Sequence, residues 1–134
     1  MLSNRLKNVV SEVNKGNLIA DIGTDHGYVP IYLVKNSIAQ KAIAADISKG
    51  SCDKAQTNIT LYGLNVKIDV RCGNGLEIIK DTEIVDTIII SGMGGLLTID
   101  VLESNKKAVN NAKQLILQPQ RDIEKVRAYL HNIN

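Results

Sequence analysis

Asp21-Ile22-Gly23-Thr24-Asp25-His26-Gly27 is the stretch on which the fold turns. It closes Asn17–Ile22, a short apolar run without a helical face, which reads as a buried strand. It opens Tyr28–Asn36, which reads as a helix with Pro30 in the first turn, where a missing N–H costs nothing. Gly23 and Gly27, four residues apart, allow a sharp reversal and a close backbone approach. A strand, a tight turn and a helix in this order form the first half of a βαβ unit.

The same unit recurs along the chain. Upstream, Leu2, Leu6, Val9, Val10 and Val13 fall at helical spacing, so Ser3–Asn14 is expected to be an amphipathic helix ended by Gly16. Downstream, strands are expected at Lys41–Ile47, Val66–Cys72, Ile84–Ile90 and Gln114–Leu117, the last cut off by Pro119. Helices are expected at Lys49–Tyr62, Leu96–Glu103 and Arg121–Leu130. Apolar strands alternating with helices imply an α/β domain, a doubly wound parallel sheet with helices on both faces. No repeat, linker or low-complexity segment divides residues 1–134.

The 134 residues fit one domain with a sizeable core. With no Phe and no Trp, that core must be built from Ile, Leu, Val and Ala. A net charge of +2 is too small to mark a nucleic-acid binder, and four Tyr offer few platforms for bases. Cys52 and Cys72 lack metal-ligand spacing and read as reduced, partly buried thiols rather than a disulfide, and no metal site is expected. There is no secretory h-region and no apolar run of about 18 residues, so a cytoplasmic protein without a membrane span is expected.

In an open parallel sheet the ligand lies beyond the carboxyl ends of the strands. The first such loop has Asp25 where a dinucleotide-binding G-x-G-x-x-G would need a glycine pattern that is absent here. A carboxylate there repels a pyrophosphate but attracts an ammonium or sulfonium, as in S-adenosylmethionine. The spacing from Asp21 through Gly23 to Gly27 is similar to the D/E-x-G-x-G-x-G motif of class I methyltransferases, with one glycine changed. An ordinary tight turn is the alternative. The second loop carries Asp46 and Ile47, about twenty residues on; either Asp46 accepts hydrogen bonds from ribose hydroxyls, or Asp46 or Ser48 caps the next helix. In the third, Gly73-Asn74-Gly75, Asn74 either meets an adenine amino group or simply turns the chain. The fourth, Ser91-Gly92-Met93-Gly94-Gly95, lets backbone approach a substrate, or is a strained helix entry. It lacks the Asn/Asp-Pro-Pro-aromatic of many amino-group methyltransferases. The fifth, Gln118-Pro119, either touches substrate or ends a strand. His26 reads first as a structural histidine, and Arg5 as a solvated charge.

Taken together, Ser3-Asn4-Arg5-Leu6, Asp21 through Pro30, Gly92-Met93-Gly94-Gly95 and Leu115-Ile116-Leu117-Gln118-Pro119 resemble the bacterial tRNA (adenine(22)-N1)-methyltransferases, the TrmK-like family. The resemblance spans essentially the whole chain. It implies a Rossmann-like class I methyltransferase domain over 1–134, with S-adenosyl-L-methionine as cofactor and tRNA as substrate. It also implies that the last strands and a helical C-terminal domain of the family are missing here. Asn74 stands where the family pattern has Asp. Arg5 is implied to reach the cofactor carboxylate and His26 to line the cofactor pocket, with Asp21, Gly23, Gly27, Asp46, Ile47, Asn74, Gly75, Gly92 and Met93. Adenine N1 carries a lone pair, so attack needs no prior base, and alignment is the protein's main task. Asp25 or the carbonyls at Ser91 and Gly92 are expected to stabilise charge developing on the ring. Tyr28 either stacks on the flipped base or is a core or surface tyrosine, and Gly94, Gln118 and Pro119 are expected to contact the base. Three other readings stay open: a methyltransferase for another substrate, a nicotinamide oxidoreductase, and a cofactor-binding fragment inactive in isolation.

Overall fold

The computed structural model describes residues 2–133; Met1 and Asn134, the outermost positions of the expected domain, lie outside them. The strands are β1 (Gly16–Ile22), β2 (Ala39–Asp46), β3 (Ile68–Cys72), β4 (Thr87–Met93) and β5 (Gln114–Pro119). The helices are α1 (Asn4–Ser11), α2 (Tyr28–Lys35), α3 (Lys49–Leu61), α4 (Gly95–Glu103), α5 (Lys106–Asn111) and α6 (Ile123–Ile133). All strand pairs are parallel, in the order β3-β2-β1-β4-β5. The expected doubly wound sheet is therefore present, and strand order reverses between β1 and β4.

Period-two alternation assigns each strand residue to one of two cores. Ile19, Ala42, Ala44, Ile68 and Ile89 face α1, α2 and α3, meeting Val9, Leu33 and Ile59. Ala20, Ile22, Ile43, Ala45, Ile88 and Ile90 face the other way, toward Leu76, Val101, Leu102 and Ala108. Ile88, Ile89 and Ile90 are all fully buried, so a run with no polar face is required at β4. Each such side chain contributes about 1.5–3 kcal/mol of burial. Aliphatic residues thus make up most of both layers, with Met93 and Tyr129 packed against the second.

Several boundaries differ from expectation for local reasons. α1 starts at Asn4 because the Ser3 hydroxyl accepts from the Leu6 N–H, and it stops at Ser11. β3 begins at Ile68, with Val66 left 91% exposed, and β4 begins at Thr87 rather than at the exposed Ile84. Asp86 ends the loop before β4: its carboxylate accepts from the N–H of Asn17 at 2.7 Å, locking the starts of β1 and β4 together. β4 continues through Ser91 to Met93 and β5 through Pro119, which edge position permits. α5 and a 3₁₀ turn at Gly75–Ile78 were not legible, being too short for a periodic signal. Both cysteines are free, but Cys72 is exposed rather than partly buried.

Arg71 fixes the loop after β3. It donates to both oxygens of Glu83, at 2.7 Å each, and to the Ile78 carbonyl at 2.8 Å. That pairing holds the Glu83 carboxyl down to about 2, against its ordinary value of 4.5. Its stabilisation is complete above pH 4.5 and fades as pH falls toward 2. Glu83→Gln is expected to cost about 2 kcal/mol at pH 7 by urea unfolding, with the difference vanishing near pH 2. A difference independent of pH contradicts this account.

Candidate active site

Because α2 and α4 leave β1 and β4 toward opposite faces, a crevice opens between the two strand ends. A cavity of about 300 Å³ fills it, floored by Asp21 and walled by Gly23–His26, Tyr28, Asp46, Ser91–Met93 and Arg5. A smaller, apolar cavity of about 100 Å³ continues past Asp46 to Ile47, Asn74, Gly75 and Leu97. Gly23, Asp46 and Met93 border both, so the two form one groove with a polar and an apolar end.

The first turn owes its shape to three left-handed residues at alternate positions: Gly23 at φ +81°, Asp25 at +56° and Gly27 at +78°. Asp25 thus does occupy a position that favours glycine, and aspartate is among the few side chains that tolerate it. The turn is tied to the end of β2. The N–H groups of Gly23 and Thr24 both donate to the Ala45 carbonyl at 2.9 Å, and the Asp25 N–H donates to Asp46 Oδ2 at 3.1 Å. These donors point into the protein, not at a ligand. Gly27 lies outside the cavity lining: a methyl group there would stand 3.2 Å from Ala55 Cβ, so this glycine serves the packing of α3.

Asp21 is 3% exposed. Burial pushes its carboxyl up to about 7; Thr24 draws it back, the Asp46 charge raises it and Arg5 lowers it. Thr24 Oγ1 lies close enough to favour the ionised form, yet makes no hydrogen bond of ordinary geometry. Arg5 reaches over from α1, stands beside Gly92 and donates to Gln118 Oε1 at 3.2 Å. It is a cavity residue, not the solvated charge suggested by pattern alone.

Both oxygens of Asp46 are engaged, Oδ2 by Asp25 N–H and Oδ1 by Ser48 N–H at 3.0 Å. Ser48, not Asp46, caps α3. Ile47 is 72% exposed over the groove, opposite Leu97 at 53%. Behind this edge Cys52 Sγ and Cys72 Sγ donate to the carbonyls of Asp46 and Ile47, and burial pushes the Cys52 thiol up to about 11. Asn74 lines the apolar end without a capping hydrogen bond of its own.

The glycines after β4 divide their work. Gly92, at φ +78°, borders the cavity. Gly95 instead approaches the chain itself: a methyl group there would fall 2.6 Å from the carbonyl oxygens of Arg121 and Asp122. Gly94, Gln118 and Pro119 do not line the groove; Gly94 faces Arg121, Gln118 meets Arg5 and Pro119 pairs with Met93. Tyr28 stacks on His26 at 5.3 Å between ring centres, so one of its faces is already covered. The groove also uses Leu6, Thr24, Val29, Leu97 and Val101, which the sequence reading had not singled out as site residues. The four-residue spacing of Leu97 and Val101 on a helix leaving the fourth loop was the signal available.

Residues 2–134 match the profile of a family described as a methyltransferase domain. The chain belongs to this family. It is 42% identical over 130 residues to the tRNA (adenine(22)-N(1))-methyltransferase of Bacillus subtilis, covering 97% of this chain and 54% of that protein. A Mycoplasma capricolum TrmK structure, solved with S-adenosyl-homocysteine, superposes with a TM-score of 0.90 at 34% identity, over 100% of this chain and 59% of that one. A Streptococcus pneumoniae structure in complex with S-adenosyl-L-methionine gives 0.95 at 38%, over 99% and 62%. The chain spans about half the length of the curated relatives it matches. The likeness read from four short motifs is thus borne out over nearly the whole chain.

A carboxyl raised in the folded state stabilises it fully below its unfolded value, and that contribution is lost as pH rises toward 7. Asp21→Asn is therefore expected to melt higher than the parent at pH 8, by several degrees, and to match it near pH 4. Equal melting at pH 8 contradicts a costly buried carboxylate.

Proposed function

We propose that this methyltransferase domain binds S-adenosyl-L-methionine and transfers its methyl group to N1 of adenine 22 in tRNA, as a cytoplasmic tRNA-modifying enzyme. The observation that carries the cofactor reading is the groove's polarity. Its polar end holds Asp21, Asp25 and Asp46, while the N–H donors of the first turn are spent on β2. Such a site repels a pyrophosphate, which weighs against a nicotinamide cofactor, and attracts a cationic amino acid. The apolar end between Ile47 and Leu97 suits a purine. The acceptor reading rests on the likeness to the Bacillus subtilis enzyme, which covers about half of that protein.

S-adenosyl-L-methionine supplies a methyl group bound to a positively charged sulfur. Asp21 faces the amino group and Arg5 the carboxylate of its methionine part. Asp46 keeps lone pairs for the ribose hydroxyls, and Asn74 meets the adenine edge. Gly23, Gly92 and Met93 shape the passage between the two ends. The carbonyls of Ser91 and Gly92, with the Asp25 carboxylate, stabilise positive charge that grows on the accepting ring. Since adenine N1 is uncharged at neutral pH, these residues align it and no base acts first.

Calorimetric titration tests the cofactor role. S-adenosyl-homocysteine is expected to bind and NAD not to bind. Because a cationic amine favours ionised Asp21, affinity is expected to rise by about one order of magnitude from pH 6 to pH 7.5. Asp46→Ala is expected to lose detectable binding. Binding of NAD, or equal affinity in the Asp46 variant, overturns these assignments. For the acceptor, labelled methyl is expected to enter tRNA with adenine at position 22 and not tRNA lacking it; equal labelling of both overturns the tRNA reading.

A further inference from the structure

On the outer wall of the cavity His26 is held more firmly than core packing requires. Its Nδ1 lies 3.1 Å from Asp25 Oδ2. Its ring stacks on Tyr28, the planes 12° apart. Its own carbonyl accepts from Asn58 Nδ2 at 2.9 Å, and the next residue, Gly27, is wedged against Ala55. Yet the His26 side chain remains 42% exposed and borders the cavity. Asp25, which orients it, sits in a left-handed conformation that few residues adopt. Ring plane and backbone are both fixed for a side chain that stays nearly half exposed.

We propose that His26 recognises the accepting adenine, its Nε2 taking a hydrogen bond from the 6-amino group, with Asp25 as the positioning residue that fixes the tautomer. The proposal rests on the methyl-transfer reading above. With Nδ1 facing Asp25 Oδ2 at 3.1 Å, the tautomer that carries its proton on Nδ1 presents Nε2 as an acceptor, and that nitrogen has no partner among the described residues. The 6-amino group of adenine is a donor next to the reacting N1. As N1 takes the methyl group the ring becomes cationic and the amino hydrogens more acidic. A hydrogen bond to Nε2 therefore strengthens in the transition state, which places its effect in kcat as well as in binding. Tyr28, with one face on His26, backs the imidazole rather than the base.

The test pairs an atom deletion on each side. Two tRNA substrates are compared, one with adenosine at position 22 and one with purine riboside, which lacks the 6-amino group. The wild-type chain is expected to favour adenosine about tenfold in kcat/KM, with part of the preference in kcat. His26→Phe keeps an aromatic ring for Tyr28 and removes the acceptor; it is expected to favour adenosine less than about twofold. His26→Gln restores an acceptor and is expected to recover part of the preference. S-adenosyl-homocysteine binding, measured by calorimetry, is expected to persist in both variants. A tenfold preference retained in His26→Phe overturns the proposal, as does loss of S-adenosyl-homocysteine binding there, which assigns His26 to the cofactor. Absence of transfer by wild type to either tRNA overturns the tRNA reading, and this inference with it; transfer with unaltered discrimination overturns this inference alone.

Discussion

The end of β2 captures the turn that follows β1. One carbonyl, Ala45, and one carboxylate, Asp46, receive three consecutive backbone N–H groups from Gly23, Thr24 and Asp25. The turn at the carboxyl end of β1 takes its shape with that capture. It forces left-handed backbone at Gly23, Asp25 and Gly27, and it sends α2 back onto the sheet beside α3. It also decides what the groove attracts. Glycine-rich turns that bind phosphate do so with outward N–H groups; here those groups are consumed, and the turn offers the exposed carboxylate of Asp25 beside the half-exposed His26.

Asp21 adds a cost to the same region. A carboxyl buried at the floor of a cavity, with Asp46 nearby, destabilises the folded chain whenever it is ionised. A ligand amine placed beside it would relieve that cost and link binding to stability through one group. The strain of Asp25 belongs to the same economy: a position that favours glycine carries a carboxylate that holds His26. Local conflicts of this kind concentrate at sites where the chain does chemistry.

Much of this was legible in the sequence. Strand–helix alternation and the apolar run at Ile88–Ile90 sufficed for a doubly wound parallel sheet, since a strand buried on both faces has no polar positions. The spacing of Asp21, Asp25 and Asp46 put the acidic end of the groove at the right strand ends. The rest depended on contacts distant along the chain. Nothing local says that Gly95 faces the carbonyls of Arg121 and Asp122, so three clustered glycines read as one binding loop when only Gly92 borders the cavity. Arg5 looked like a surface charge because its partner Gln118 lies 113 residues away. Leu97 and Val101 carried no mark of a site because an apolar groove uses the same side chains as an apolar core.

If the buried Asp21 carboxylate meets a cationic ligand amine, its titration must respond to that ligand. Following the Asp21 carboxyl carbon by NMR through a pH titration, with and without S-adenosyl-homocysteine, reads this out. The expected result is a midpoint near 7 in the free chain that falls well below 7 when the ligand is bound. An ordinary midpoint in the free chain, or one that the ligand leaves in place, contradicts it.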